Sequence, residues 1–433
     1  MRILTSAALA AAIMAAVPAA SVAQDLGSNF KRDKNTSVRQ RPRPDYEAIG
    51  VKAGGFTLYP RVTVEAVHDD NVYAVATGEQ SDVIWRVKPE LAARSNWSRH
   101  ALGAFASASI NRYADFDTEN TEEYTLGLNG RLDVERGSYV SASAQWQALT
   151  EPRTAITAGT PAGATAKPVE YYLWSGNLTG VKEFNRLRLT GKLDTKKFDY
   201  DDQGSLSFNQ NTRDRDEFYY GGKAEYAVSP DTAVFASLVG NTKEYDVDTL
   251  GRAAAPGVPA IAPLRARDSD GYAATVGANF DLSQAIRGEV EAGYMSQSYD
   301  NYAADIDGFS ARGRVEWFPT ELTTLNVAGS RSIEESTARG SQGYLANSVS
   351  AGIDHELLRN VLLAANASYG KDKYEGIDRD DKRTGFNASA AYLLNRNVGL
   401  FLTYTYLKQE SSGTAKGSSF TDNKLAASVA LQF

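Results

Sequence analysis

Apolar and polar residues alternate along most of this chain, and the final segment shows the alternation most clearly. Leu425, Ala427, Val429, Leu431 and Phe433 share one parity, whereas small or polar side chains occupy the other. Successive side chains of a β-strand point to opposite faces. The segment therefore predicts a strand with one apolar face and one face that meets water.

Segments of about a dozen residues with this alternation recur from residue 56 to residue 433, and about eighteen of them can be counted. Each is long enough to cross a bilayer at a tilt of about 45°. We predict an all-β fold, a closed antiparallel transmembrane up-and-down β-barrel of about 18 strands, with about 16 strands as the alternative.

The connections between these segments also favour a barrel. Every second connection is tight, near residues 96, 136, 184, 229, 283, 319, 358 and 395. The others include the long polar stretches 151–167, 201–211 and 247–266. Short periplasmic turns alternate with long extracellular loops in outer-membrane barrels. An even number of strands then places both termini in the periplasm.

The first residues have the features of a secretory signal peptide. Arg2 provides a positive charge, residues 3–20 are Ala-rich and apolar, and residues 21–23 form a small-residue cleavage site. A transmembrane helix is the alternative, but Pro18 and the lack of a later apolar run of about 18 residues disfavour it. We predict that residues 1–23 are removed on export and that the protein resides in the outer membrane of a Gram-negative bacterium.

Residues 24–50 form a basic stretch between the signal peptide and the first barrel segment. They contain six lysines and arginines and two closely spaced prolines, but almost nothing apolar. A stretch of this composition cannot form a core. We predict a flexible basic periplasmic lead-in, followed by a barrel domain at 51–433. Docking of the lead-in to a periplasmic partner or to peptidoglycan is the alternative.

Composition narrows the class of protein. Hydrophobic residues make up 42% of the chain and the mean hydropathy is −0.38, which excludes an inner-membrane bundle of helices. A barrel can be this polar because its strands present only every second residue to lipid. The absence of cysteine excludes disulfides and thiolate chemistry. Removing Arg2, one positive charge, changes the formal net charge from −7 to −8, which argues against nucleic acid as a partner.

Aromatic residues concentrate near the ends of the predicted strands, as in the interfacial girdles of membrane barrels. This feature disfavours the competing interpretation, a secreted soluble β-sandwich or solenoid. The predicted girdle on the long-loop side consists of Tyr73, Tyr113, Phe116, Tyr171, Tyr172, Trp174, Phe198, Tyr200, Tyr219, Tyr220, Tyr245, Tyr299 and Tyr302. The predicted girdle near the tight turns consists of Trp97, Phe184, Tyr226, Trp317 and Phe318.

Strand alternation also predicts which charges face the lumen. A charge on the lipid face at mid-depth costs about 2–4 kcal/mol, so the charged parity should point inward. The candidates that line the lumen are Arg86, Lys88, Glu90, Arg186, Arg188, Lys192, Arg287, Glu289, Glu291, Arg312, Arg314 and Glu316. They predict either a wet channel that selects solutes or a neutralised salt-bridge network that fills the lumen. Tyr59, Tyr171 and Tyr219 share the inward parity, which would suit sugar passage because aromatic rings stack on sugar faces.

Catalytic and metal-binding patterns are sparse in this chain. It has 3 histidines, too few and too scattered for a zinc site. The run His68-Asp69-Asp70 invites comparison with barrel proteases, but it lacks a second acidic pair. The acidic runs 305–308 and 378–381 lack the spacing of a calcium loop. We therefore expect no enzymatic activity, no cofactor and no bound metal.

Both ends of the chain resemble known proteins. A final strand that ends on an aromatic residue resembles the last strand of bacterial outer-membrane barrels, which implies that Phe433 is an assembly signal. The run RPRPDYEAIG at 41–50, with GGFTLYP at 54–60 and HDDNVY at 68–73, resembles the opening of the putative β-barrel porin type 2 family. SD at 81–82, KPEL at 88–91 and SNWSRH at 95–100 continue the resemblance, which is specific over about 41–113 and compatible through Phe433.

The resemblance implies a function. Relatives of this type are often associated with exopolysaccharide, capsule or holdfast gene sets, so we expect a channel that takes part in exopolysaccharide export across the outer membrane. The expected partners are outer-membrane lipid and lipopolysaccharide, the barrel-assembly machinery and periplasmic polysaccharide-export proteins. The alternatives are a general or substrate-selective diffusion porin and a closed structural or surface-binding barrel.

Overall fold

Eighteen strands close into a barrel in the computed structural model, which describes residues 36–156, 167–201, 210–246, 267–282, 285–300, 305–338 and 340–433. All strand pairs are antiparallel, and β19 pairs with β2 to complete the barrel, which confirms the predicted fold with 18 strands rather than 16. A further short strand, β1, lies on the edge of β2. The strands are β1 (Val51–Ala53), β2 (Phe56–Asp69), β3 (Asp82–Ser95), β4 (Ala101–Tyr113), β5 (Thr121–Glu135), β6 (Ser138–Thr150), β7 (Glu170–Phe184), β8 (Leu187–Tyr200), β9 (Arg215–Ser229), β10 (Thr232–Tyr245), β11 (Ser269–Leu282), β12 (Ile286–Tyr299), β13 (Ile306–Thr320), β14 (Thr323–Glu335), β15 (Gly343–Leu358), β16 (Val361–Tyr374), β17 (Asp380–Leu393), β18 (Val398–Ser412) and β19 (Phe420–Gln432).

The tight connections predicted near residues 96, 136, 184, 229, 283, 319, 358 and 395 each lie at or beside a connection between two observed strands. The predicted tight connections have two to five residues and lie at one end of the barrel, hereafter the tight-turn end. The other connections, of five residues or more, lie at the opposite end, hereafter the long-loop end. Strand β2 begins and β19 ends at the tight-turn end. The assignment of this end to the periplasm stays a prediction.

Barrel strands expose apolar side chains on the outer face and turn their polar side chains inward. On β19, Leu425, Val429 and Leu431 are exposed, as predicted for its apolar face. On β3, Trp85 is exposed whereas the next residue, Arg86, contacts Glu65 across the inner face. An apolar outer belt of this kind suits a lipid bilayer, which has no polar groups to solvate an exposed charge.

The pair β19–β2 that closes the barrel is held at both ends. At the long-loop end, Lys424 Nζ lies 2.7 Å from Asp69 Oδ2. At the tight-turn end, the Phe433 N–H donates to the Pro60 carbonyl at 3.2 Å. Strand β1 pairs with residues 56–58 of β2 and so continues the edge where β19 stops. The role of Phe433 as an assembly signal stays a prediction.

Helical structure in the described ranges is limited to short 3-10 turns at Val38–Gln40, Asp117–Glu119 and Asn211–Arg213. Within those ranges, no helix has the length and apolar character needed to cross a membrane. The predicted signal peptide at 1–23 and the first part of the predicted lead-in, 24–35, lie outside the described residues.

The predicted long-loop girdle is wrong for part of its members. The members that lie exposed on the outer face include Tyr172, Trp174 and Tyr220. The members that are buried on the lumen side include Tyr200, Tyr219, Tyr245 and Tyr299. The reason is strand parity, since neighbouring residues at a strand end point to opposite faces. Tyr302 lies outside the described residues.

Candidate functional site in the barrel lumen

A cavity of about 860 Å³ occupies the long-loop half of the lumen. Its wall is built by inward side chains of strands from β2 round to β19, such as Glu65, Arg86 and Lys424. Tyrosines such as Tyr171 and Tyr344 lie between these charges. The lumen is therefore the surface on which the barrel can contact a solute.

Strands β12 and β13 carry a ladder of opposite charges on the inner face of the tight-turn half. The directly paired residues are Arg287 with Glu316, Glu289 with Arg314, and Glu291 with Arg312. The Arg287 Nε donates to Glu316, the Arg314 Nη2 lies 3.3 Å from Glu316 Oε1, and the Arg312 Nε lies 3.8 Å from Glu291 Oε1. The Arg314 side chain is nevertheless 72% exposed, so it projects into the open part of the lumen.

The other predicted lumen charges on strands β3, β8 and β12 each lie beside an opposite charge on the inner face. The contacts are Arg86–Glu65 at 2.6 Å, Lys88–Glu65 at 3.9 Å, Glu90–Arg61 at 3.6 Å, Arg188–Glu183 at 3.5 Å, Lys192–Asp194 at 3.1 Å and Glu289–Lys223 at 3.1 Å. The prediction that Arg186 lines the lumen is wrong. This residue lies exposed in the tight turn between β7 and β8, because β8 begins only at Leu187.

We expect that removing Arg312 and Arg314 shifts the ion selectivity of the barrel toward cations. The double variant Arg312→Gln/Arg314→Gln leaves Glu291 and Glu316 in the lumen without these partners. One unit charge at about 4 Å changes the energy of an ion in water by about 1 kcal/mol. The ratio of cation to anion permeability, from reversal potentials in a planar bilayer, should therefore rise about two- to fivefold.

Arg186→Gln is the matched control for this prediction, because it removes the same charge from the tight turn rather than from the inner wall. Its permeability ratio should equal that of the wild type. An unchanged ratio in the assembled double variant would show that this wall does not face a conducting path.

Arginines lie over aromatic rings on the long-loop half of the inner wall. The rings of Tyr171 and Tyr200 stack with their centroids 4.9 Å apart. The Arg213 guanidinium lies 4.0 Å from the centroid of Tyr200, and the Arg215 guanidinium lies 3.9 Å from that of Phe198. Such contacts hold rings and charges in fixed relative orientations. A solute at this wall would meet ring edges, phenol hydroxyls and charged groups side by side.

Residues 151–156, hereafter the latch segment, line the cavity at the start of the long loop after β6. Two buried bidentate ion pairs hold the segment. Arg153 donates to both oxygens of Glu119, at 2.7 and 2.6 Å, in the loop between β4 and β5. Arg213, from the loop between β8 and β9, donates to both oxygens of Glu151 at 3.0 and 2.7 Å. Three long loops are thus tied together at the lumen entrance.

Two neighbouring loop residues beside the latch segment have shifted pKa values. Burial alone would lower the pKa of Arg213, but the charge and hydrogen bonds of Glu151 raise it above its ordinary value. Burial raises the pKa of Asp214 to about 6, and the negative charges of Asp199 and Asp246 act in the same direction. Arg213 therefore keeps its charge, whereas the raised pKa lets the Asp214 carboxyl take up a proton at a higher pH than an ordinary aspartate does.

The tip of the β14–β15 hairpin also narrows the lumen at the long-loop end, from a different part of the wall than the latch segment. Strand β14 pairs with β13 only as far as Arg331, and residues 306–310 of β13 pair with β12 alone. At the end of β14, Glu335 accepts from Lys243 Nζ and from the Tyr245 hydroxyl, at 2.7 Å each. Both partners lie on the inner face of β10, so the tip leans into the lumen.

Three carboxylates, of Asp69, Asp70 and Asp422, lie within 4.8 Å of one another at the long-loop end of the closing seam. Lys424 Nζ lies 2.7 Å from Asp69 and 3.3 Å from Asp422. Asp70 accepts the backbone N–H and the side-chain amide of Asn423 at 2.7 Å each. These contacts use the carboxylates to hold β19 against β2, which gives the predicted acidic run a structural role.

Residues 37–47, hereafter the strap, lie inside the tight-turn end of the barrel. Val38 is 2% exposed and packs against Leu362 of the inner wall. Arg43 Nη2 lies 2.7 Å from Glu356 Oε2, and both side chains are buried. The described part of the lead-in therefore differs from the predicted flexible segment, because its arginines meet carboxylates on the inner wall.

Comparison with known proteins agrees with the barrel. The chain matches the family described as "Putative beta-barrel porin 2" over residues 43–433. It is similar in fold to the copper transporter OprC, with 10% identity and a TM-score of 0.50 over 88% of this chain and 82% of that chain. It is also similar to OpdL of Pseudomonas aeruginosa, with 12% identity and a TM-score of 0.46 over 88% of this chain and 100% of that chain. No curated protein matches the chain. Because the family match spans most of its length, the chain belongs to the Putative beta-barrel porin 2 family of porin-like barrels.

Proposed function

We propose that this barrel is a saccharide channel in the outer membrane of a Gram-negative bacterium and that it takes part in exopolysaccharide export. One observation carries the proposal: the cavity wall combines tyrosines with charges of both signs. Aromatic rings can pack on the apolar face of a sugar ring, while charged groups and phenol hydroxyls exchange hydrogen bonds with sugar hydroxyls. A wall with both kinds of group suits a hydroxyl-rich solute better than a small inorganic ion.

Location and orientation belong to the same proposal. The apolar outer belt suits outer-membrane lipid and lipopolysaccharide. Removal of residues 1–23 would deliver the chain to the periplasm, where the barrel-assembly machinery would insert it with both termini on the periplasmic side. The lumen would then act as a path rather than as an active site, and the periplasmic end would meet polysaccharide-export proteins.

The narrowed lumen favours a selective path over a general diffusion pore. The latch segment and the β14–β15 tip narrow the long-loop end, and the strap lies in the tight-turn end. A single extended glycan chain presents a small cross-section to such constrictions, which supports passage of a polymer.

A second candidate, a porin selective for short saccharides, is favoured by the size of the cavity. Its volume of about 860 Å³ lies within the range of about 300–1,000 Å³ that is typical of sites for small ligands. A site of this size can hold a short oligosaccharide.

Flux into proteoliposomes tests the channel. We expect neutral oligosaccharides to enter several times faster than polyethylene glycols of matched size, because the glycols lack the hydroxyls and rigid faces that the wall can contact. Equal rates for both solutes would indicate a general diffusion pore. If neither solute entered the proteoliposomes, the barrel would be closed and its role structural.

A deletion strain then separates the two candidates. Loss of surface or secreted polysaccharide, restored by the wild-type gene, is expected if the barrel serves export. A strain with normal polysaccharide and a saccharide-permeable purified barrel would instead support the selective porin.

A further inference from the structure

We infer that the strap is a displaceable gate that sets the charge selectivity of the lumen. When docked, its arginines neutralise an acidic pair, Asp354 and Glu356, on the inner wall at the tight-turn end. When released, it leaves this acidic pair facing the solute path. The inference rests on the proposed channel function and concerns its regulation by a segment of the same chain.

Ion pairs anchor the strap to the acidic pair. Arg39 Nε lies 2.6 Å from Asp354 Oδ1. Arg43 Nη2 lies 2.7 Å and Arg41 Nη1 lies 3.5 Å from Glu356 Oε2. The two carboxylates are two residues apart on β15, so they share its inner face. Three arginines at alternate positions of the strap thus meet two neighbouring carboxylates of the wall.

The acidic pair depends on the strap for most of its neutralisation. Glu316, on the nearby strand β13, has wall partners in Arg287 and Arg314. Asp354 forms its ion pair with Arg39 of the strap, and Arg314 on β13 also acts on it electrostatically. Within the described residues, Glu356 has one wall-side ion pair, with Arg359 at 3.5 Å, whose side chain is 55% exposed. Rings and patches of carboxylates favour cations in channels. Release of the strap should therefore make the tight-turn mouth selective for cations.

Little apolar surface holds the strap in place. Val38 is its one buried hydrophobic side chain, packed against Leu362 and Ala391, and its backbone N–H donates to Thr324 Oγ1 at 3.0 Å. Ion pairs and hydrogen bonds to the wall supply the remaining anchoring. Salt screens the more exposed of these pairs, Arg39–Asp354 and Arg396–Asp45, most strongly. A segment held in this way can leave the wall without disrupting a core.

Gly50 lies between the strap and the barrel wall and suits a pivot. Its φ is +77°, in the left-handed region that glycine adopts at least cost. A Cβ atom there would lie 2.5 Å from Thr57 Cγ2 and 2.9 Å from the Leu58 carbonyl oxygen. The chain passes from the strap in the lumen through Gly50 into β1 on the wall. Movement of the strap about this residue need not disturb the barrel.

Thiol labelling of the full-length barrel measures release directly. The chain has 0 cysteines, so Val38→Cys introduces a unique thiol at a position that is 2% exposed when the strap is docked. We expect slow labelling by a water-soluble maleimide at low salt and faster labelling at high salt. Adding Arg39→Gln, Arg41→Gln and Arg43→Gln should raise the low-salt rate by about 10²-fold, because removing one partner of a buried pair strongly disfavours the paired state.

Reversal potentials then test selectivity. The triple arginine variant should raise the ratio of cation to anion permeability about two- to fivefold. Adding Asp354→Asn and Glu356→Gln to that variant should return the ratio to the wild-type value. A cross-link between Val38→Cys and Leu362→Cys in the chain with its native arginines should hold the ratio at the docked value at all salt concentrations. Arg99→Gln, in the tight turn between β3 and β4, is the control and should change neither labelling nor selectivity.

The outcomes separate this gate from the channel itself. A labelling rate that stays slow at high salt and in the arginine variants would show that the strap is permanently docked. This result would overturn the gate but leave the proposed channel intact. Faster labelling with an unchanged permeability ratio would also overturn the gate. Faster labelling of a barrel that conducts no ion would instead refute the proposed channel, and the gate with it.

Discussion

Ala427→Arg should strongly reduce assembly of the barrel. Ala427 lies near the middle of β19 on the outer face, between Leu402 of β18 and Ala66 of β2. An arginine at mid-depth on the lipid face costs about 2–4 kcal/mol. Because β19 closes the barrel, its failure to insert leaves two unpaired strand edges in lipid. The folded fraction, measured as the fast-migrating band of an unheated gel, should fall about tenfold or more.

Ser428→Arg is the matched control, since it places the same side chain one residue further on, on the inner face opposite Glu65. There the arginine meets water and a carboxylate, so the folded fraction should stay close to that of the wild type. Equal loss in both variants would show that the two faces of β19 do not differ in environment. A soluble protein without a heat-modifiable band would refute the membrane barrel itself.

The strands could be predicted from the sequence because each one has the same local requirement. An outer face in lipid and an inner face in water impose a period of two on every strand, whatever its neighbours are. Trp85 and Arg86 illustrate this, since adjacent residues point to lipid and lumen as their polarity predicts. The alternation of tight and long connections then defines the antiparallel order without any knowledge of distant contacts.

The site itself could be predicted only in part. The alternation along a strand indicates which side chains face the lumen, but not which distant segments pack against them. Tyr219 lies on the inner wall, as its parity predicts, and so cannot belong to the predicted girdle, which requires the outer face. Arg186 has the inward parity but precedes the first residue of its strand. The Arg43–Glu356 contact joins residues 313 positions apart, and local alternation carries no information about such a pair. A run of alternate arginines opposite inward carboxylates was the available signal for the strap.

Arg213→Met should release the latch segment from the lumen entrance. The side chains of Arg213 and Glu151 are each 7% exposed and form a bidentate pair. Removing one partner of such a pair leaves a buried charge without its main partner and costs about 3–5 kcal/mol. Because Glu151 belongs to the latch segment, this cost falls on the docked state. The segment should therefore undock about 10²- to 10³-fold more often.

Amide hydrogen exchange measures this release, because the Glu151 N–H donates to the Val169 carbonyl, outside the latch segment, at 2.8 Å. We expect exchange at this amide to accelerate about 10²- to 10³-fold. Arg131→Met is the matched control, since its pair with Asp133 is exposed and such pairs contribute less than about 1 kcal/mol. Adding Glu151→Gln should restore part of the docking, because the buried charge is then gone. Wild-type exchange in the single variant would show that other contacts hold the entrance closed.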